Sequence, residues 1–282
     1  MTWDRREHTP TKTRTCAKIL IIGFIFSIFL CANRAVAFSE TPSNLSKTSE
    51  AYNSDNSFSF VVFGDNQEGY AVFEKLIEKV NGERGVSFAI SLGDMVSEAN
   101  RKDYQNYLNM ISKLKPKLYT VPGNHDLAGN GYKYYLEFFG PFYYSFDYKN
   151  SHFIVLNNAF DVSFNAKQFS WLKNDLAKTD KENIFVLMHR PTFDPTEIYS
   201  GYVMSGREIV AQLMELFEKN GVDYVFAGHI HGFARVRRNG IVYIVSGGAG
   251  GRLHLLPAFG GFHHYIRVDV DGNKISDKVE RI

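Results

Sequence analysis

Five apolar, β-rich runs in this chain each stop at a polar group drawn from Asp, Asn and His, and that punctuation limits what the chain can fold into. The stops are Asp65, Asp94, Asn124-His125-Asp126, His189 and His229-x-His231. Apolar runs of this length, bounded by turn residues, read as buried strands. Between them lie segments with apolar residues at helical spacing, among them AVFEKLIEKV, AKQFSWLKNDLAK and REIVAQLMELFEKNG. Helices interleaved with buried strands predict an α/β domain. The stretch YYSFDYKNSHFIVLN, with Lys149-Asn150 near its turn, predicts a hairpin, so the sheet is expected to be mixed.

In α/β folds ligands gather beyond the carboxyl ends of the strands, where loops converge on a rigid frame. Glycine directly precedes the polar group in four of the five cases (Gly64, Gly93, Gly123 and Gly228), as a tight turn aiming a short side chain into a shared pocket requires. Taken singly, each group has an ordinary explanation. A strand-end Asp after Gly is often a turn residue or helix cap, and isolated H-x-H pairs are often surface residues. All five in order at strand ends point instead to one site. Carboxylates with imidazoles suit borderline to hard divalent ions such as Zn, Mn or Fe.

The order G-D-x, G-D-x-x, G-N-H-D, H and G-H-x-H resembles the calcineurin-like metallophosphoesterase superfamily, over roughly Phe58 to Lys274. Asn165-x-x-Gln168-x-x-Trp171-Leu172 and the glycine-rich run from Ser246 to Gly251 are similar to further segments of that family. The resemblance implies a four-layer αββα sandwich with two mixed β-sheets and a metal site at the strand C-terminal ends. It implies two divalent metal ions, with Mn, Zn or Fe expected ahead of Ca. Carried over by motif, Asp94 would bridge both ions. Asp65 and His231 would hold the first, and Asn124, His189 and His229 the second. His125 would sit beside the leaving group as general acid, with Asp126 orienting it or raising its pKa. The implied chemistry is phosphate-ester hydrolysis by a hydroxide bridging the two ions.

Two departures qualify the resemblance. The first motif of the family commonly reads D-x-H, but here Gln67 follows Asp65-Asn66. Gln67 could ligate weakly through its amide oxygen or leave a position open, favouring a harder ion such as Mn or Ca. A purple acid phosphatase would place a metal-binding Tyr three residues beyond Asp94, where this chain has Ser97, so the ferric charge-transfer version is not expected. The expected substrate is a small phosphate ester, a monoester in preference. The alternatives are a phosphodiesterase acting on nucleotides or cyclic nucleotides, and a poorly metallated binding module resting on Gln67.

The N-terminus sets the expected location. Residues 19–30 are an uncharged apolar run, preceded by Arg5, Arg6, Lys12, Arg14 and Lys18 and followed by Ala35-Val36-Ala37. A basic start, a short apolar core and an A-x-A exit predict a signal peptide over 1–37, and hence a secreted or periplasmic protein. An uncleaved anchor is the alternative, and only then is a membrane partner expected. Residues 38–57 are polar and read as a linker, leaving 58–282 as the metallophosphoesterase domain. Both cysteines, Cys16 and Cys31, lie in the leader, so the domain has no disulfide and no thiolate zinc site. The leader also carries six of the 32 Lys/Arg and two of the 30 Asp/Glu, which turns the net charge from +2 to −2. That balance offers no electrostatic footprint for a nucleic acid polymer. Nothing in the sequence sets an oligomeric state.

Overall fold

The protein is described by a computed structural model covering residues 56–198 and 200–282. The expected signal peptide and nearly all of the expected linker lie outside the described residues. In chain order the elements are β1 (Ser57–Phe63), α1 (Tyr70–Gly82), β2 (Val86–Ser91), α2 (Arg101–Ile111), β3 (Lys117–Thr120), the short α3 (Asn124–Leu127) and α4 (Gly131–Phe139). They continue with β4 (Tyr144–Tyr148), β5 (Ser151–Val155), α5 (Ala166–Leu176), β6 (Asn183–Leu187), α6 (Arg207–Lys219), β7 (Tyr224–Ala227), β8 (Phe233–Arg238), β9 (Ile241–Ser246), β10 (His264–Asp271) and β11 (Lys274–Arg281).

The strands form two mixed sheets, in the orders β11-β10-β1-β2-β3 and β4-β5-β6-β7-β9-β8. In the first, β1, β2 and β3 run parallel, β10 pairs antiparallel with β1, and β11 pairs antiparallel with β10. In the second, β5, β6, β7 and β9 run parallel and the edge strands β4 and β8 are antiparallel.

Successive residues of a strand point to opposite faces, and the sequence fills both faces with apolar side chains. In β1, Phe58, Phe60 and Val62 face the second sheet, while Val61 and Phe63 face Phe73, Leu76, Ile77 and Val80 of α1. In β6, Phe185 and Leu187 point inward, and Ile184 and Val186 meet Leu172 and Leu176 of α5 and Leu213 and Phe217 of α6. The layers are therefore helix, sheet, sheet, helix, as the family resemblance implies. Between the sheets lies an aromatic cluster. The Phe60 ring centroid is 5.2 Å from Phe88, 5.2 Å from Phe153 and 5.3 Å from Phe185. Fully burying such a side chain contributes about 1.5–3 kcal/mol, and this core fixes the two sets of parallel strand ends relative to each other.

One ionic tie secures the β4–β5 edge hairpin to α5. His152 of β5 meets Asp147 of β4 through Nδ1 at 2.6 Å and Asp175 of α5 through Nε2 at 2.9 Å. Burial lowers the His152 pKa, but the two carboxylates outweigh it and the net shift is upward. A raised folded pKa means stability that is fully present below the unfolded value near 6.5 and lost as pH rises through the folded value. His152→Gln should therefore cost about 1–2 kcal/mol near pH 6 and progressively less toward pH 9, allowing for the exposure of Asp147. Urea midpoints of the two proteins across that range check this, and a gap that widens with pH would refute it.

Candidate metal centre

The parallel strands of both sheets deliver their carboxyl ends to one place. Asp65 follows β1, Asp94 follows β2, Asn124 opens α3 just after β3, His189 follows β6, and His229 and His231 follow β7. Local backbone geometry is strained here. Of the seven non-glycine residues with positive φ among the described residues, four are in this site: Asp65 at 62°, Gln67 at 39°, Asp94 at 52° and His229 at 67°. Such strain persists only where surrounding structure enforces it, and it concentrates at functional sites. Two glycines allow the Asp94 and Asn124 loops to abut. Gly93 has φ +95°, and a Cβ on Gly123 would lie 2.2 Å from the Asp94 nitrogen and 2.3 Å from its Oδ1.

Two groups of donor atoms result. Asp94, His189 and His229 present ligand atoms within 4.8 Å of one another, and so do Asp65, Asp94 and His231. Asp94 belongs to both. Asn124 joins the first group, its Oδ1 lying 3.1 Å from His189 Nε2. Gln67 is buried beside the cluster, with its amide nitrogen 3.4 Å from Asp94 Oδ2. The structure thus brings together all seven side chains that the sequence proposes as ligands.

The donor set fits divalent ions in tautomer as well as in residue type. His189 Nδ1 donates to the Leu92 carbonyl at 2.8 Å, and His231 Nδ1 donates to the Arg252 carbonyl at 2.7 Å. Each bond leaves Nε2 as the lone-pair nitrogen directed at the cluster, the arrangement metal-bound imidazoles adopt. His189 Nε2 and His229 Nδ1 lie only 3.1 Å apart, so a proton or a cation must come between them. Burial lowers the His189 pKa, but the Asp94 and Asp65 carboxylates bring it up to about 9. Burial and the His189 charge together push His229 down to about 2. Burial would raise Asp94, yet His189 and the His125 backbone N–H hold it well below the usual carboxylate range.

His125 and Asp126 take different parts. The His125 backbone N–H donates to Asp94 Oδ1 at 2.9 Å, and its ring Nδ1 donates to the Ser97 carbonyl at 2.8 Å, leaving Nε2 for chemistry. The Asp126 carboxylate is fully buried and accepts from the backbone N–H groups of Asp94, Met95, Val96 and Gly123, at 2.9, 2.8, 3.2 and 2.8 Å. It does not contact the His125 ring. The expectation that Asp126 orients that imidazole gives way to another role: it clamps the loop carrying Asp94, while a backbone carbonyl orients His125.

Other polar residues fall into place around the centre. Arg190 is tied by its guanidinium to Asp161 and the Val203 carbonyl, both at 2.7 Å, so it braces a loop. His264 is buried between Ser246 and the Phe262 carbonyl, and His263 contacts the Gly248 carbonyl. Asp269 and Asp271 of β10 accept from Ser59 and Ser57 of β1, tying the two strands together. The sequence reading missed Asn158. Its Oδ1 accepts from the backbone N–H of His189 at 2.8 Å and of Arg190 at 3.1 Å. Gln168 braces the preceding residue, Asn157, through both its amide oxygen and its amide nitrogen. His254 stacks on His231 with centroids 4.1 Å apart and planes 4° from parallel.

The chain matches the model of calcineurin-like phosphoesterases over residues 58–233. It belongs to the calcineurin-like phosphoesterase family. Members with similar sequences include purple acid phosphatase 18 of Arabidopsis thaliana, 36% identical over 99 residues, which cover 34% of this chain and 22% of the relative. Purple acid phosphatase 23 of the same plant is 29% identical over 198 residues, covering 60% of this chain and 43% of the relative. The chain thus spans less than half the length of these relatives. Among solved structures of the fold, a purple acid phosphatase from yellow lupin (Lupinus luteus) seeds superposes with TM-score 0.65 at 17% identity, over 80% of this chain and 51% of the other. Membership agrees with the divalent-ion donor set. At the purple acid phosphatase tyrosine position, this family member has Ser97, whose hydroxyl donates to Glu68 and whose carbonyl holds His125.

Proposed function

We propose that this chain is a binuclear metal-dependent phosphohydrolase that cleaves phosphate esters, monoesters in preference. The observation that carries the reading is the place of Asp94 in both donor groups. Asp65, Gln67, His231 and Asp94 would hold one ion, and Asn124, His189, His229 and Asp94 the other. Once bound, two divalent ions supply activation of water near neutral pH and neutralisation of charge on the phosphoryl oxygens. The chain's own residues do the rest. Asp126 and the Leu92 and Arg252 carbonyls keep the donors in register, so little reorganisation is needed during reaction. His125, fixed by Ser97, presents Nε2 to the departing oxygen and can hand it a proton. The net negative charge of residues 38–282 gives no groove for a polymeric substrate, which favours small esters.

The test is hydrolysis of p-nitrophenyl phosphate and bis-p-nitrophenyl phosphate by metal-stripped protein, with Mn, Zn, Fe or Ca restored in turn. Faster turnover of the diester would move the assignment to a phosphodiesterase. Gln67, a neutral amide in place of the family's imidazole, favours a second reading as a poorly metallated binding module. No turnover with any ion, from folded protein, would select it.

We further propose that the chain is exported, on the sequence of residues 1–37. N-terminal sequencing of the protein recovered outside the cytoplasm should begin at Phe38. A start within the leader would indicate an anchor.

A further inference from the structure

A groove of about 480 Å³ is walled by the 195–198 segment on one side and the 257–262 segment on the other. Its lining is mainly apolar, with Ile198, Phe233, Pro257, Phe259, Phe262 and Val279 contributing. Ile198 and Phe259 are more than half exposed, at 53% and 59%, and Leu256 beside them is 67% exposed. Large apolar side chains clustered this way on a soluble surface mark a binding site more often than chance exposure.

The walls are preformed. The 254–262 segment is pinned by His254 N–H to the His231 carbonyl at 2.9 Å and by Phe233 N–H to the Gly260 carbonyl at 2.9 Å. Leu255 is buried against Ile230 and Val245. Phe259 is thus exposed on an anchored backbone, as expected of a pocket built before its ligand arrives.

Chain segments that wall the groove also reach the centre. Phe233 stands two residues beyond His231. His254, at the start of the far wall, stacks on His231. Tyr202, four residues beyond Ile198 of the near wall, lies 5.6 Å from the His229 ring and 5.0 Å from the His254 ring. Tyr202 and His254, each within a few residues of a wall, thus stand against the ligand histidines His229 and His231. Of the two lining arginines, Arg235 is paired with Asp277 at 2.8 Å and Arg281 lies 3.9 Å over the Phe262 ring.

We propose that this groove takes the apolar alcohol moiety of the substrate, so that the preferred esters are phosphates of bulky alkyl or aryl alcohols. The proposal rests on the phosphohydrolase reading for the position of the phosphate, with the ester's organic part extending along the groove. Each methylene buried there should tighten binding roughly fourfold.

The experiment is calorimetric binding of two non-hydrolysable ligands, methylphosphonate and hexylphosphonate, to the Mn-loaded full domain. Three of the five additional methylenes in contact should make hexylphosphonate bind about 60-fold more tightly. In Phe259→Ser, and separately in Ile198→Ser on the opposite wall, the ratio should fall to a few-fold while methylphosphonate affinity holds. Both side chains are exposed, so both variants should fold. Equal affinities, no measurable binding of hexylphosphonate, or a ratio untouched by either substitution would overturn the proposal. A sedimenting dimer that dissociates in Phe259→Ser would assign the groove to a second copy and overturn it as well. Failure to turn over p-nitrophenyl phosphate would sink the hydrolase reading instead, and the phosphonate ratio would still report on the groove.

Discussion

Asp94→Asn should lose at least about 10³-fold in kcat/KM on p-nitrophenyl phosphate, with metal content falling from two ions per chain to fewer than one. The size of the effect follows from the geometry. Asp94 is the one side chain that lies in both donor groups, so on the proposed reading its charge would be the one shared by two ions that repel each other. An amide keeps the shape and can still accept the His125 backbone N–H now held by Oδ1 at 2.9 Å, so the fold should survive. What the amide cannot do is screen two dications. In the metal-free protein Asp94 is also a main source of the high proton affinity of His189, so the variant should titrate that histidine lower, a second readout independent of turnover. Elemental analysis, circular dichroism and initial rates on one preparation settle the matter. Two bound ions and activity within tenfold of the parent would refute the bridging role.

Much of this centre was legible in the sequence because chain direction and strand position together specify where a side chain goes. Asp65, Asp94, His189 and His229 each follow a buried apolar run, and parallel strands deliver such residues to a common edge. The αββα layering was given by the family resemblance, and the double-sided apolar patterning of β1 and β6 is its physical counterpart. The elements that escaped have weak patterns. β11, KISDKVER, is an edge strand with polar residues on most positions, and β8, FARVRR, is also at an edge, so neither carries a buried apolar run. In the aromatic stretch after residue 130, α4 sets Tyr135 fully inside, while Phe139 lies 6.1 Å from Tyr107. Its helical form was hidden because aromatics at nearly every position blur the helical period. The supporting contacts were the least visible. The carbonyls of Leu92, Ser97 and Arg252 orient three histidines, and a backbone carbonyl has no sequence signature. Asp126 shows the same gap. Its adjacency to His125 in the chain suggested a partnership, but the opening of α3 turns the two side chains to different tasks.

That difference makes Asp126→Asn the sharper structural test, and it should cost about 3–5 kcal/mol of stability. Each carboxylate oxygen accepts two backbone N–H groups, from Met95 and Val96 at one and from Asp94 and Gly123 at the other. An asparagine has one acceptor oxygen, so whichever way it turns, its NH2 faces two buried N–H donors. Each donor left without an acceptor costs about 1–3 kcal/mol. Burial and the Asp94 carboxylate push the Asp126 pKa upward, against the pull of those donors. Urea unfolding of the metal-free proteins gives the cost, and metal affinity should fall in parallel because residues 94–96 lose their clamp. A stability change under about 1 kcal/mol with a large fall in kcat would reverse the assignment and return Asp126 to the side of His125, since a residue acting on the imidazole alone would leave the fold untouched.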